Sequence, residues 1–188
     1  EGLAIRDVDV RKLLEEAVAT VQDDARNAGN RISIRVSAEA ERAHTDGGKL
    51  AVSMAAIISN AVKFTQNGLI AITAESEVLD GKDTLLLAVS DTGIGMGPAT
   101  LQGLFQPFSQ ADGSITRKYG GTGLGLFLSK KLAQALGGDL ILLESILETG
   151  SAFRLTVNCG ALNEDSFRLR EKARAVPLID RLQARPLS

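Results

Sequence analysis

Apolar positions recur along the chain at two periods. Leu13, Leu14, Ala17, Val18 and Val21 fall at helical spacing and predict a helix over residues 8–28. Gly29-Asn30 would end it as a left-handed cap. Ile32, Ile34 and Val36 then alternate with polar neighbours, the mark of a half-buried strand. A second helical pattern spans 47–63, with Asp46 as its cap and Leu50, Met54, Ile57, Ile58 and Ala61 on one face. Asn60 and Lys63 lie three apart and share a neighbouring face. Residues 69–78 and 84–90 read as two strands joined by the turn Asp80-Gly81. Leu85 to Val89 is apolar on both faces, which places this strand centrally in a sheet. A helix from Leu124 to about Leu136 follows, with Leu124, Leu128, Leu132, Ala135 and Leu136 as its expected buried stripe and Gly137-Gly138 as its stop. Strands near 139–146 and 151–158 flank the turn Glu148-Thr149-Gly150.

Between the central strand and the helix at Leu124 this periodicity fails. Nine of the 19 glycines lie between Asp91 and Leu126. Glycine costs backbone entropy, so such a concentration needs unusual backbone angles, close approach to a ligand, or mobility. Asp91-Thr92-Gly93-Ile94-Gly95 opens the stretch, and Gly120-Gly121-Thr122-Gly123-Leu124-Gly125-Leu126 closes it. The pattern suggests two ends of a nucleotide pocket joined by a lid.

The remaining composition narrows the class. The chain has 188 residues with 44% hydrophobic and 23% charged content, the balance of one soluble globular domain. A net charge of -2 makes no electrostatic case for nucleic acid or an anionic membrane surface. The single cysteine, Cys159, excludes an internal disulfide framework. No apolar run approaches the roughly 20 residues that span a bilayer. Without a start methionine or signal pattern, the chain reads as a cytoplasmic piece of a longer protein. Residues 160–188 are rich in charge and punctuated by Pro177 and Pro186, and suggest a short helix and a linker.

Each candidate group has a chemical and a plain reading. Asp91, at the end of a central strand, offers an acceptor-only carboxylate suited to the exocyclic amine of a purine, with Ile94, Met96 and Leu126 as apolar walls. An Asx turn ending the strand is an equal reading. Gly121-Thr122-Gly123-Leu124-Gly125 leads into a helix, where free N–H groups and the helix dipole favour an anion. A flexible loop before a helix explains it too. The spacing fits neither the P-loop nor the dinucleotide fingerprint. The Asn60 amide oxygen suits Mg²⁺ and Lys63 suits phosphate, although in isolation a structural Asn and a solvated Lys are the commoner case. His44, the only histidine, has no metal-type ligands or triad partners near it in sequence.

In combination these segments are specific. Asn60-Ala61-Val62-Lys63-Phe64-Thr65, Asp91 to Gly95, Leu104-Phe105-Gln106-Pro107-Phe108, Gly120 to Leu126 and Thr149-Gly150-Ser151-Ala152-Phe153 occur in that order. Over residues 8–158 the chain resembles the catalytic, ATP-binding domain of two-component sensor histidine kinases, whose N, G1, F, G2 and G3 boxes these are. The resemblance implies an α+β Bergerat fold: a two-layer sandwich, with a mixed sheet of about five strands and about three helices on one face. It implies that Asp91 binds the adenine amine beside Gly93, Ile94 and Gly95. Asn60 would hold Mg²⁺, Lys63 would contact phosphate, and Gly121, Thr122, Gly123, Leu124, Gly125 and Leu126 would wrap the phosphates of ATP. Phe105 and Phe108 would anchor the lid, and Arg117 would reach the γ-phosphate during transfer.

The implied division is a catalytic domain at 1–159 and a linker at 160–188 toward a further domain, a receiver if the protein is a hybrid kinase. The implied partners are the dimerisation domain carrying the phosphoacceptor histidine and a receiver domain or response regulator. Two departures stand out. Ala56 occupies the position one turn before Asn60 where the family often has a second Asn, or related ATPases a Glu base. A methyl group neither binds Mg²⁺ nor activates water, which argues against a self-sufficient ATPase and leaves a degenerate nucleotide-binding regulatory module without kinase activity as the alternative. His44 also lacks the helical setting and following acidic residue of a phosphoacceptor, so the chain is not expected to phosphorylate itself.

Overall fold

In a computed structural model, the described residues are 2–108 and 124–161, together with Glu164, Arg168 and Glu171. The helix expected over 8–28 is broken into three elements. Arg6–Asp9 is a strand (β1), Val10–Ala19 a helix (α1) and Gln22–Asn27 a second helix (α2). Asp9 stays extended and caps α1 by accepting the Lys12 N–H. At the far end the Thr20 hydroxyl donates back to the Ala17 carbonyl at 2.7 Å, a bond that competes with the helical ladder. β1 pairs antiparallel with Arg42–Thr45 (β3), which the apolar pattern did not predict either. Strands of four residues turn only Val8, or Ala43 and Thr45, inward, too few for alternation to register.

The main sheet contains Arg31–Val36 (β2), Leu69–Leu79 (β4), Lys82–Asp91 (β5), Leu140–Ile146 (β6) and Gly150–Ala161 (β7). Its order is β2-β4-β5-β7-β6. β2 and β4 are parallel and every other pair is antiparallel, so the sheet is mixed. β5 is central, as its two apolar faces required. Asp80 (φ 50°) and Gly81 (φ 72°) both take the left-handed conformation that a two-residue hairpin turn needs. Register puts one apolar row beside the next. Ile72, Val89 and Phe153 are lateral neighbours, and so are Ala74, Leu87 and Leu155. All six are buried. A fully buried Leu, Ile, Val or Phe contributes roughly 1.5–3 kcal/mol, so these rows are the main apolar support of the sheet.

Gly47–Lys63 (α3) lies over this face and keeps the predicted bounds, with Asp46 accepting the Lys49 N–H at its start. Its stripe of Leu50, Met54, Ile57, Ile58 and Ala61 is buried. α3 packs on β5 between α1 and Gly125–Ala135 (α5), completing the two-layer sandwich; the short helix Pro98–Gln102 (α4) precedes the F segment. α5 is rotated from expectation. Its buried residues are Ser129 and Ala133, with Leu136 just beyond, while Leu128 is 47% exposed and Ala135 is exposed. The cause is helix contact: Ser129 Oγ donates to the Ser53 carbonyl at 3.2 Å, and small side chains let α5 approach α3 closely.

β7 continues to Ala161, beyond the expected strand end. Glu164, Arg168 and Glu171 are helical and exposed, with Glu164 and Arg168 paired at 3.9 Å. Among the described residues no helix is long and apolar enough to cross a membrane.

Candidate functional site

β5 delivers Asp91 to the edge of the helical layer. Asp91 Oδ1 accepts the Gly93 N–H at 2.9 Å. The Ser151 N–H also favours the ionised form, and the buried Thr65 hydroxyl lies nearby without a hydrogen-bond partner among the described residues. Burial is the larger influence, and it raises the carboxyl above its ordinary value despite these donors. The loop beyond Asp91 is stitched on both sides. Ile94 N–H donates to the Phe64 carbonyl, just past the end of α3, at 3.0 Å, and Glu148 N–H donates to the Ile94 carbonyl at 2.7 Å. Gly93 passes so close that a Cβ there would lie 2.2 Å from the Phe64 carbonyl oxygen. Gly95 is left-handed (φ 64°), and a Cβ on it would meet the Ile146 carbonyl at 2.0 Å. Ile94 is 38% exposed and Met96 half-buried, so both are available as apolar walls. The Met96 N–H is held by Ser145 Oγ, which is 2.9 Å from Ser151 Oγ.

The other end is built on the same helix. Asn60 is half-buried and Lys63 exposed on the last turns of α3. A Cβ on Gly125 would lie 3.7 Å from the Ala56 methyl. Ala56 and Asn60 are four apart, so Asn60 faces the side of α3 turned toward the start of α5. Among the described residues no side chain caps the first turn of α5, with Gly125 and Leu126, and its positive dipole end favours an anion. Leu124 and Leu126 are half-buried there. α3 thus links the Asp91 loop, through Phe64, to the α5 terminus, through Ala56. Arg117, Gly121, Thr122 and Gly123 lie outside the described residues.

Other residues shift the picture. Phe105 packs on the core, edge-on to Phe153 with centroids 6.4 Å apart. Phe108, expected as a second anchor, is 74% exposed at a positive φ of 58°. Thr65 and Ser151 complete the surroundings of Asp91. Thr65 lies in the N segment and Ser151 in the G3 segment, and only the fold brings them beside the carboxylate. Among the described residues no group of three or more His, Cys, Asp or Glu converges as a metal cage. An ion such as Mg²⁺, which keeps water and phosphate oxygens, fits a lone amide like Asn60 better than a site needing several carboxylates. His44 pairs with Asp7 at 3.0 Å on the exposed β1–β3 ribbon. Burial, helped by the Asp83 charge, pushes the Cys159 thiol up to about 11, which leaves it inert.

A mixed sheet backed by helices, with a strand-end carboxylate at one side of α3 and an uncapped helix start at the other, defines a nucleotide-binding domain. The model of the histidine kinase-, DNA gyrase B-, and HSP90-like ATPases matches residues 45–160, and the chain belongs to that family. Within it, the relatives are sensor histidine kinases. Sensor histidine kinase AruS of Pseudomonas aeruginosa is 35% identical over 149 residues, covering 78% of this chain and 15% of that protein. Signal transduction histidine-protein kinase BarA of Escherichia coli strain K12 is 34% identical over 151 residues, covering 79% and 16%. The chain therefore spans 15–16% of the length of these curated relatives. The fold is shared with full-length ShkA, solved in complex with AMPPNP, at a TM-score of 0.72 and 24% identity, over 100% of this chain and 44% of that one.

Proposed function

We propose that this chain is the catalytic module of a cytoplasmic sensor histidine kinase, binding Mg-ATP and donating its γ-phosphoryl group to a histidine on a separate dimerisation domain. The observation that carries the proposal is the arrangement around α3. Asp91, which no cation among the described residues neutralises, is an acceptor for the adenine amine, while Asn60 lies on the side of α3 turned toward the start of α5 and Lys63 follows on its last turn. In this reading Gly93, Ile94 and Gly95 lie along the base. Gly121, Thr122, Gly123, Leu124, Gly125 and Leu126 surround the phosphates, and Arg117 and Lys63 stabilise charge on the group in transfer. Magnesium held by Asn60 would neutralise phosphate charge. The acceptor histidine nitrogen forms a bond to the γ-phosphorus as the bond to the β-bridging oxygen breaks, and ADP leaves. Ala56 supplies no base for water, so the phosphoryl group is directed to a protein partner.

We place residues 1–159 in this module, and assign 160–188 to a linker that leads to a receiver domain, as in a hybrid kinase. Mixing the chain with the dimerising histidine hairpin of its own kinase and γ-labelled ATP tests the reading. The hairpin should become labelled and the chain should not. Bound ATP with no label on the hairpin would refute phosphotransfer.

A further inference from the structure

Lys130 has three partners that solvation would not provide. Its Nζ donates to Asp139 Oδ1 at 2.8 Å and to the Leu140 carbonyl at 2.9 Å. The same nitrogen stands 4.7 Å from the centroid of the Phe105 ring. Phe105 in turn meets Phe153 edge-on, at an interplanar angle of 86°. One ammonium therefore joins α5, the start of β6 and the segment that follows α4. The joint is partly shielded: the Lys130 side chain is 26% exposed, a setting in which cation–π attraction exceeds its value in open water. Burial tends to raise the Asp139 carboxyl, but the Lys130 hydrogen bond and charge, with the Leu140 N–H and the Gln134 side chain, outweigh it and keep it low.

The position of this joint matters for the two ends of the site. The Asp91 loop hangs on the end of α3 and the β6–β7 turn, and among the described residues none of its hydrogen bonds comes from α5. The first turn of α5 is located by the body of that helix, through Ser129 on one side and Lys130 on the other. We propose that Lys130 is a positioning residue for the phosphate end of the nucleotide site: by clamping the Phe105 ring to the start of β6 it fixes the placement of α5, and with it Gly125 and Leu126. The proposal rests on the reading that these residues face the nucleotide phosphates.

Calorimetry with AMPPNP and with adenosine tests it. Lys130→Met keeps the aliphatic stem and removes the charge, and should weaken AMPPNP about five- to tenfold while leaving adenosine unchanged. Lys130→Arg, which retains the cation, should recover most of the loss. Phe105→Leu leaves the Lys130–Asp139 pair intact and should reproduce the selective loss, and the double variant should be no weaker than either single one. AMPPNP affinity unchanged in folded Lys130→Met, equal losses for both ligands, or strictly additive losses in the double variant would each overturn the positioning role. A wild-type chain that binds adenosine as tightly as AMPPNP would instead remove the phosphate-end reading, and the proposal with it.

Discussion

Gly93→Ala isolates the contact between the Asp91 loop and the end of α3. The added methyl would lie 2.2 Å from the Phe64 carbonyl oxygen, 2.7 Å from Thr65 Oγ1 and 2.9 Å from Asp91 Oδ1. The closest of these is a main-chain atom, so no flexible side chain can swing away. Gly93 is not a left-handed glycine, which leaves the methyl itself as the source of strain. Relief requires the loop to lift, at an overpacking cost of about 1–3 kcal/mol. Lifting also weakens the Ile94 N–H bond to the same carbonyl, a further ~1 kcal/mol. A total near 3 kcal/mol corresponds to a fall of roughly 6–12 °C in Tm for a chain of this size. Because Asp91 Oδ1 accepts the Gly93 N–H, a lifted loop also disturbs the carboxylate, and nucleotide affinity should fall with it.

Gly81→Ala is the matched control. Gly81 is left-handed (φ 72°) with nothing within 4 Å of a built Cβ, so it should cost roughly 1–2 kcal/mol of conformational strain and leave affinity intact. Thermal unfolding by circular dichroism and AMPPNP calorimetry on both variants decide the matter. A Gly93→Ala chain that melts and binds like wild type would refute the argument that α3 fixes the loop. Equal binding losses in Gly81→Ala would show that any strain, rather than this contact, weakens the site.

Three further outcomes follow from the same geometry. Asp91→Asn replaces an all-acceptor group by a mixed donor and acceptor, so calorimetry should find adenine recognition abolished while Tm stays level or rises, because a carboxyl raised by burial opposes folding once ionised; retained ATP affinity counts against the assignment. Asn60→Ala should weaken ATP binding more with Mg²⁺ than in its absence, and equal losses under both conditions would mark Asn60 as structural. The raised Asp91 value lies above the ordinary 3.8, so ATP affinity should begin to fall with acidification before an ordinary carboxyl would protonate. An amine donor favours the ionised form, so binding in that window should release protons, measurable as a buffer-dependent heat; proton uptake would contradict the role.

Elements with long, uninterrupted patterns were legible in the residues alone. α3 keeps its expected bounds because the capping Asp46 and the apolar stripe agree. The β4–β5 hairpin was fixed by Asp80-Gly81, and the central place of β5 by its two apolar faces. The misses have a common cause in tertiary contact. The buried side of α5 is chosen by the Ser129 bond to the Ser53 carbonyl, 76 residues away in sequence, against a more hydrophobic leucine stripe. β1 and β3 exist by pairing with each other, and neither is long enough to advertise itself. Asp91, Asn60 and Lys63 could be picked out by motif, yet Ser151 and Thr65 acquire meaning only when β7 and the end of α3 close around the carboxylate. Lys130 carried no signal, since a lysine on a helix ordinarily reads as solvated.

The cap of α3 does two jobs at once. Asp46 accepts the Lys49 N–H through Oδ1 and the Ala4 N–H through Oδ2, and these bonds hold its carboxyl below the usual range. The chain ahead of β1 is thereby fastened to the first turn of a 17-residue helix, about 25 Å long, whose last turns carry Asn60 and Lys63. A helix of that length bends little. A tug or twist arriving through residue 4 is applied to one end of a lever, and the other end of that lever carries Asn60 and Lys63, the residues proposed to meet the nucleotide.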